Sequence, residues 1–198
     1  MHSLDKRFLK EIKRVLPSQT ILLSEEQRKP YECDGLSGYR ALPGVVLLPD
    51  TVDAVKKILA LCQRYQIPVV ARGAGTGLSG GATPHPEGVL LSMARFNQVL
   101  SIDQVAATAR VQPGVRNLAI SEAVADIGLY YAPDPSSQIA CTIGGNVAEN
   151  AGGVHCLKYG LTVHNVVSAQ VVLMGDEFLE IGGAALDNHG YDLLPGFV

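Results

Sequence analysis

The chain has 198 residues, of which 47% are hydrophobic and 18% are charged. This composition provides ample apolar material for a buried core and gives little reason to expect disorder. The formal net charge of −3 carries no basic excess, which argues against a nucleic-acid-binding surface.

The first part of the sequence predicts an amphipathic helix followed by a β-α-β unit. The helix covers about residues 3–16 and stops at Pro17. Its charged side is interpreted as a solvated face, with a partner or membrane surface as the less favoured alternative. Thr51 is a suitable N-cap for a second helix, which continues through Tyr65. Three short apolar runs predict buried parallel strands, at residues 45–48, 68–71 and 88–93.

From about residue 98 the pattern changes to half-buried strands. Strands are predicted at residues 99–102, 108–111, 166–174 and 178–181. The alternation in the first two suggests antiparallel pairing, and a turn at Gly175 and Asp176 joins the last two. A helix over roughly 115–127 ends at Gly128, as at a C-cap. We therefore expect an α+β fold with an N-terminal helix and lead-in, a first lobe and a second lobe, over residues 1–40, 41–97 and 98–198.

A glycine-rich loop at residues 72–81 follows the second predicted strand directly and reads R-G-A-G-T-G-L-S-G-G. Glycines let backbone amides approach an anion and adopt positive φ without a steric penalty. The loop is therefore predicted to wrap a phosphate group. Its predicted binding residues are Arg72, Gly73, Ala74, Gly75, Thr76, Gly77, Ser79 and Gly80. For Arg72, direct contact with phosphate and pairing with a structural carboxylate both remain open.

The same loop contains a formal G-x-G-x-x-G pattern, but a Rossmann nucleotide fold is not expected. That fold needs a helix to begin inside the motif and an acidic residue after the next strand. Here Pro84 and Pro86 follow at once, the next strand starts by Gly88, and residues 94–97 contain no carboxylate. A Walker A loop is also excluded, because no Gly-Lys-Ser/Thr sequence occurs.

A second glycine cluster lies at residues 133–160, where two glycine pairs flank a stretch compatible with a short helix. Asn146 and Asn150 are four residues apart and would share a face of that helix. Their amides could cap the backbone or bind a heterocycle. His155 and His164 lie in the same region, and structural or surface roles are favoured because neither has a carboxylate at a recognisable spacing. The four cysteines match neither zinc nor iron–sulfur ligation, and no metal site is expected.

Together these motifs resemble the FAD-binding domain of the vanillyl-alcohol-oxidase superfamily. Within it, the runs at 31–40, 111–121 and 130–165 are similar to the FAD-linked subunits of bacterial glycolate oxidases. The resemblance covers nearly the whole chain. It implies a small β-α-β lobe and a larger lobe of mixed or antiparallel sheet with flanking helices, with FAD between them.

The resemblance also assigns residues to parts of the cofactor. Residues 73–80 would hold the pyrophosphate, and Tyr159 and Gly160 would lie near the flavin. The adenosine and ribityl sides would be lined by Pro133, Asp134, Ser137, Gly144, Gly145, Asn146, Asn150, Gly152 and Gly153. Relatives with covalent flavin have a histidine where this chain has Thr76, so FAD is expected to bind non-covalently.

Such enzymes oxidise a 2-hydroxy acid, here glycolate, by hydride transfer from the α-carbon to flavin N5. The resemblance implies a second flavin-type subunit and an iron–sulfur subunit as electron-accepting partners. The motifs of the substrate-binding cap are absent, so we expect an N-terminal part of a longer enzyme, and no catalytic base is assigned. A catalytically silent FAD-binding fragment, or a D-lactate or 2-hydroxyglutarate dehydrogenase of the same superfamily, are the alternatives.

The sequence also favours a cytoplasmic location. No apolar run approaches the roughly 20 residues needed to span a bilayer, and the N-terminus lacks the apolar core of a signal peptide. Association with a membrane through partner subunits is the alternative.

Overall fold

The computed structural model describes residues 4–175, 177–183 and 191–198. The chain has an α+β fold and divides into two compact units. The first unit comprises Met1–Phe96 with Val172–Glu177, and the second comprises Asn97–Val171 with Phe178–Val198.

The first unit is built on a four-stranded sheet. Its helices and strands are α1 (Lys6–Val15), β1 (Ile21–Leu22), α2 (Glu25–Arg28), β2 (Val45–Leu47), α3 (Val52–Arg64), β3 (Val69–Arg72) and β4 (Val89–Ser92). The strand order is β1-β2-β4-β3, so the last strand in sequence lies between the two strands that α3 connects. Strands β2, β4 and β3 are mutually parallel as predicted, and β1 pairs antiparallel with β2. The prediction that all three are buried is wrong for β3, because it lies at the edge of the sheet, with Val69 and Val70 half-buried and Ala71 exposed. The two-residue strand β1 was not predicted.

The core of this unit lies between the sheet and helices α1 and α3. Phe8 and Ile12, four residues apart on α1, are both fully buried, as is Ile58 on α3. The predicted N-cap is confirmed, because the Thr51 side chain accepts a hydrogen bond from the Ala54 N–H at 3.2 Å. The N-terminal helix thus packs against the core of the first unit.

The connection from β3 to β4 contains no helix. Residues 73–88 form turns, bends and irregular backbone between the end of β3 and the start of β4. This confirms that the glycine-rich loop is not a Rossmann turn, which would open a helix at this point.

The described residues of the second unit form two pairs of strands and three α-helices. These are β5 (Val99–Asp103), β6 (Thr108–Val111), α4 (Asn117–Val124), α5 (Ile143–Ala148), α6 (Cys156–Tyr159), β7 (Ser168–Val172) and β8 (Phe178–Gly182). Strands β5 and β6 pair antiparallel as predicted, and β7 pairs with β8. Gly128 has φ +74° after a short 3-10 turn that extends α4, which confirms the predicted C-cap. Of the predicted turn at residues 175 and 176, Asp176 lies outside the described residues.

One short stretch departs from the expected order of the lobes. Val172–Glu177 belongs to the first unit, although residues 98–198 were expected to form one lobe. The reason is packing, since Val172 lies against the hydrophobic core that contains Phe8 and Ile58. A separate, smaller core in the second unit contains Val115, Ile120 and Ile143. Within the described residues, no helix combines the length and the apolar character required to cross a membrane.

Candidate cofactor site

The glycine-rich loop adopts backbone conformations that favour glycine. Gly75 has φ +70° and Gly80 has φ +78°, and residues other than glycine rarely adopt such backbone angles. A Cβ on Gly75 would also overlap the guanidinium group of Arg72. The loop therefore needs glycine at Gly75 for two independent reasons, its positive φ and the space that the Arg72 side chain occupies. We call residues 73–80 the cradle.

Arg72 is the last residue of β3, and its guanidinium lies against Gly75 of this loop. Its side chain is 8% exposed, and its Nη1 donates a hydrogen bond of 2.7 Å to the carbonyl oxygen of Cys33. Burial lowers the pKa of the guanidinium from its ordinary value, while the nearby Cys33 and Asp34 oppose that shift. No carboxylate of the described residues lies within salt-bridge distance of Arg72. Of the two alternatives left open for Arg72, pairing with a structural carboxylate is not seen, and a backbone carbonyl accepts its hydrogen bond instead.

The second glycine cluster is held in place by its backbone. The N–H of Gly144 donates to the Pro113 carbonyl at 2.9 Å, and that of Ile143 donates to the Val115 carbonyl at 2.8 Å. A Cβ on Gly144 would lie 2.7 Å from the Cβ of Pro113. Glycine at this position thus allows α5 to begin directly against the 113–115 segment.

Several polar atoms around α5 are buried without a hydrogen-bond partner among the described residues. They include Nδ2 of Asn146, Oγ1 of Thr142 and Oη of Tyr131. Asn146 and Thr142 lie on successive turns, because the Asn146 N–H donates to the Thr142 carbonyl at 2.9 Å. Buried polar groups in proteins nearly always have partners, so an unpaired amide donor suits a bound polar ligand.

The prediction that Asn146 and Asn150 share a helix face is wrong. Helix α5 ends at Ala148, and Asn150 has φ +44°, in the left-handed region that asparagine tolerates better than most residues. Its Oδ1 accepts a hydrogen bond of 3.1 Å from the Val163 N–H. Of the two roles open to the asparagines, capping of the backbone fits Asn150, while Asn146 alone presents an unpaired amide group.

Asp134 forms a pair with His155 that the sequence did not reveal. Its carboxylate accepts a hydrogen bond from the His155 backbone N–H at 3.2 Å and pairs with Nδ1 of the same residue at 2.5 Å. The side-chain bond from His155 lowers the pKa of Asp134 below its ordinary value. A Cβ on Gly153 would overlap the Asp134 carbonyl and carboxylate, so this close approach needs glycine. The expectation that no carboxylate pairs with His155 is corrected here.

Tyr159 and Gly160 end the second cluster. The Oη of Tyr159 accepts a hydrogen bond of 2.9 Å from Lys158 Nζ, which lowers the pKa of this tyrosine. Gly160 has φ +78°, and a Cβ there would lie 2.7 Å from Nδ1 of His164. That nitrogen accepts the Leu161 N–H at 3.1 Å, so His164 has a structural role.

The predicted site residues thus form two groups, one in each unit. The first comprises the loop residues Arg72, Gly73, Ala74, Gly75, Thr76, Gly77, Ser79 and Gly80. The second comprises Pro133, Asp134, Ser137, Gly144, Gly145, Asn146, Asn150, Gly152, Gly153, Tyr159 and Gly160. In the second group, Nδ2 of Asn117 donates a hydrogen bond of 3.0 Å to the carbonyl oxygen of Pro133 and so holds this part of the chain in place.

The sequence analysis assigned no site role to residues 31–38, which we call the 31–38 segment. A Cβ on Gly35 would lie 2.8 Å from the carbonyl oxygen of Gly77, so this segment contacts the glycine-rich loop. The signal that could have indicated it is the glycine next to a buried acidic residue, Asp34.

Comparisons with known proteins show which family matches this chain. The family of FAD binding domains matches residues 43–182. The chain is 61% identical over 189 residues to glycolate oxidase subunit GlcD of Escherichia coli K12, covering 96% of this chain and 38% of that protein. It is 43% identical over 176 residues to glycolate oxidase subunit GlcD of Bacillus subtilis, covering 88% and 37%. The chain therefore spans about two fifths of the length of these relatives.

Among solved structures, an alkyldihydroxyacetonephosphate synthase superposes with a TM-score of 0.84 at 21% identity. The match covers 99% of this chain and 41% of that one. At this level of identity, the similarity shows that the two chains share a fold.

Proposed function

We propose that this chain, which belongs to the FAD binding domain family, is the FAD-binding part of a flavin-dependent 2-hydroxy-acid oxidoreductase that acts on glycolate. FAD is its cofactor. The substrate follows from the similarity to glycolate oxidase subunits and concerns the whole enzyme, of which this chain corresponds to about two fifths.

The observation that carries the proposal is the cradle at Gly75. The loop has positive φ at Gly75 and Gly80, and successive backbone N–H groups in such turns form concavities that bind anions. The hydroxyl groups of Thr76 and Ser79 add further donors. We assign residues 73–80 to the pyrophosphate of FAD.

The second group is assigned to the remainder of the cofactor. The buried Nδ2 of Asn146 has no partner among the described side and main chains, and it fits a ligand acceptor better than a protein one. Pro133 and Asp134 would line the adenosine and ribityl sides with the glycines of the cluster, and Tyr159 would lie near the flavin. Thr76 offers no imidazole for a covalent bond, so we propose that FAD binds non-covalently.

When bound, FAD supplies the acceptor for the hydride that leaves the substrate α-carbon. The residues of this chain bind and orient the cofactor, and we assign none of them as the base that takes the hydroxyl proton. The relatives are named as subunits, which supports partner subunits for this chain as well. We propose a second flavin-type subunit and an iron–sulfur subunit as those partners, and a cytoplasmic location.

Titration of the purified chain with FAD tests the cofactor assignment. Binding is followed by quenching of flavin fluorescence and by the visible spectrum after removal of unbound FAD. We expect saturable binding of FAD and a yellow protein. A chain that stays colourless in excess FAD would contradict the proposal.

Addition of glycolate to the yellow protein without oxygen tests the activity. Bleaching of the flavin absorbance supports a working oxidase. FAD binding without bleaching supports the alternative, a binding module whose substrate residues lie elsewhere. The enzyme activity is then measured on a full-length protein of the same family.

A further inference from the structure

We propose that Arg72 and the 31–38 segment form a brace that holds the glycine-rich loop in the shape that binds FAD. In this arrangement Arg72 is a positioning residue and does not itself contact the phosphates, and Asp34 is its buried counter-charge. The inference rests on the proposed FAD-binding function, and it adds to the site a segment that lies before residues 43–182, which match the family.

The segment and the loop meet backbone to backbone at Gly35. A Cβ on this residue would lie 2.8 Å from the Gly77 carbonyl oxygen and 2.9 Å from that of Thr76. Real Cβ atoms essentially never come so close to a backbone oxygen, so only glycine allows this approach. The part of the loop assigned to the pyrophosphate is therefore supported from behind by the 31–38 segment.

Arg72 links the two chain segments. Its Nη1 donates to the Cys33 carbonyl at 2.7 Å, and its guanidinium carbon lies 5.7 Å from the centre of the Tyr31 ring. On its other side the guanidinium lies against Gly75. Only 8% of the surface of Arg72 is exposed, because these contacts enclose its side chain. A side chain that binds phosphate directly would have to be accessible to the ligand.

Asp34 supplies the opposite charge. Its side chain is 6% exposed, and its Oδ1 accepts a hydrogen bond of 2.8 Å from the Leu36 N–H. Its Oδ2 is buried and has no hydrogen-bond partner among the described residues. A buried charge of this kind is costly unless an opposite charge compensates it. Arg72 donates to the carbonyl oxygen of the preceding residue, Cys33, so its guanidinium lies near Asp34, although beyond salt-bridge distance. We therefore expect removal of Arg72 to leave Asp34 without this nearby opposite charge.

Substitution at Gly35 tests the brace without touching any charge. We expect Gly35→Ala to weaken FAD binding by about tenfold or more, because the loop must shift to admit the new Cβ. Gly38→Ala is the matched control, since no atom lies within 4 Å of a Cβ at this position of the same segment. Neither glycine has a positive φ, so the pair differs in space alone. Equal FAD affinities for the two variants would overturn the brace.

The dependence of FAD affinity on salt separates positioning from direct contact. We expect Arg72→Met to weaken binding about tenfold while the slope of log Kd against log salt concentration stays at the wild-type value. A smaller slope would mean that a cation contacting phosphate has been lost, and it would overturn the positioning role. Arg72→Gln, which also removes the charge but keeps an amide donor for the Cys33 carbonyl, gives the same comparison if the methionine variant does not fold.

A double-mutant cycle in urea, without FAD, tests the counter-charge. We expect Asp34→Asn to restore part of the stability that Arg72→Met removes, and additive effects would contradict the pairing. The outcomes distinguish the two proposals. If wild-type protein binds FAD but the Gly35 and Arg72 variants bind equally well, only the brace fails. If wild-type protein binds no FAD, the proposed function fails, while the cycle still measures the pairing.

Discussion

The guanidinium group of Arg72 occupies the space that a Cβ on Gly75 would need. A buried residue at the end of strand β3 thus limits which residue can stand three positions later in the loop. The conformation of the glycine-rich loop is restricted by this contact as well as by the positive φ of Gly75.

Gly75→Ala is therefore expected to lower FAD affinity by at least about tenfold, since both the overlap with Arg72 and the positive φ oppose it. Fluorescence titration with FAD measures the effect. Gly128→Ala is the control, because Gly128 also has a positive φ but no atom lies within 4 Å of a Cβ there. That variant should lose about 1 kcal/mol of stability and keep its FAD affinity. Unchanged FAD binding in the Gly75 variant would contradict the role of the loop.

Asn146 and Asn150 are expected to respond in opposite ways to substitution. Asn146→Leu removes an amide donor that has no partner, so the FAD-free protein should keep its stability while FAD binds more weakly. Asn150→Ala removes the bond to the Val163 N–H and should cost about 1 kcal/mol or more in the FAD-free protein. Urea unfolding and FAD titration of both variants provide the comparison. The assignment of Asn146 fails if its variant loses as much stability as that of Asn150.

Tyr131 should make the fold sensitive to alkaline pH. Burial raises its pKa from 10.0 to about 12. Since the folded-state pKa is raised, the contribution to stability is fully present below the unfolded-state value near 10 and is lost as pH rises towards 12. This group alone gives a slope of about 1.4 kcal/mol per pH unit in that window.

Tyr131→Phe should remove this part of the alkaline loss, as measured by urea unfolding at a series of pH values. Stability at neutral pH should not fall, because the Oη atom is buried without a hydrogen-bond partner among the described residues. Tyr39→Phe, at a side chain that is 69% exposed, is the control and should not change the slope. An unchanged slope in the Tyr131 variant would show that another group causes the loss.

The pKa of Asp134 should change when its histidine partner is removed. The hydrogen bonds from His155 lower its pKa from the ordinary 3.8, so Asp134 stabilises the fold above its unfolded-state pKa. That contribution is lost as pH falls through the lower folded-state value. In His155→Ala the pKa of Asp134, followed by carboxyl carbon NMR, should rise towards 3.8. His164→Ala is the control, and equal Asp134 titrations in the two variants would argue against the pair.

The features that the sequence predicted correctly depend on residues close together along the chain. The N-cap at Thr51 and the C-cap at Gly128 each satisfy backbone groups within a few residues. The buried strands β2 and β4 are recognisable in the sequence as short apolar runs, because both faces of a central parallel strand are covered. The absence of a helix after the glycine-rich loop follows from its two prolines.

The features that were missed join residues far apart in sequence. Asp134 and His155 are 21 residues apart, and Cys33 and Arg72 are 39 apart, so no local spacing indicates either contact. The conformation of Asn150 depends on where α5 ends, and helix ends are the least certain part of a periodic pattern. Long-range contacts of this kind set the detailed shape of both parts of the site.

Strand β4 is hydrogen-bonded to a parallel neighbour on each side, β2 and β3. Its amide protons should therefore exchange with solvent more slowly than those of the glycine-rich loop, which precedes it and is free of regular structure. We expect local opening of the loop to leave the pairing of β4 with β2 and β3 intact, so that a ligand bound at the loop would exchange without unfolding of the sheet. On this expectation the strands stay paired during ligand exchange, and the conformational change is confined to the loop.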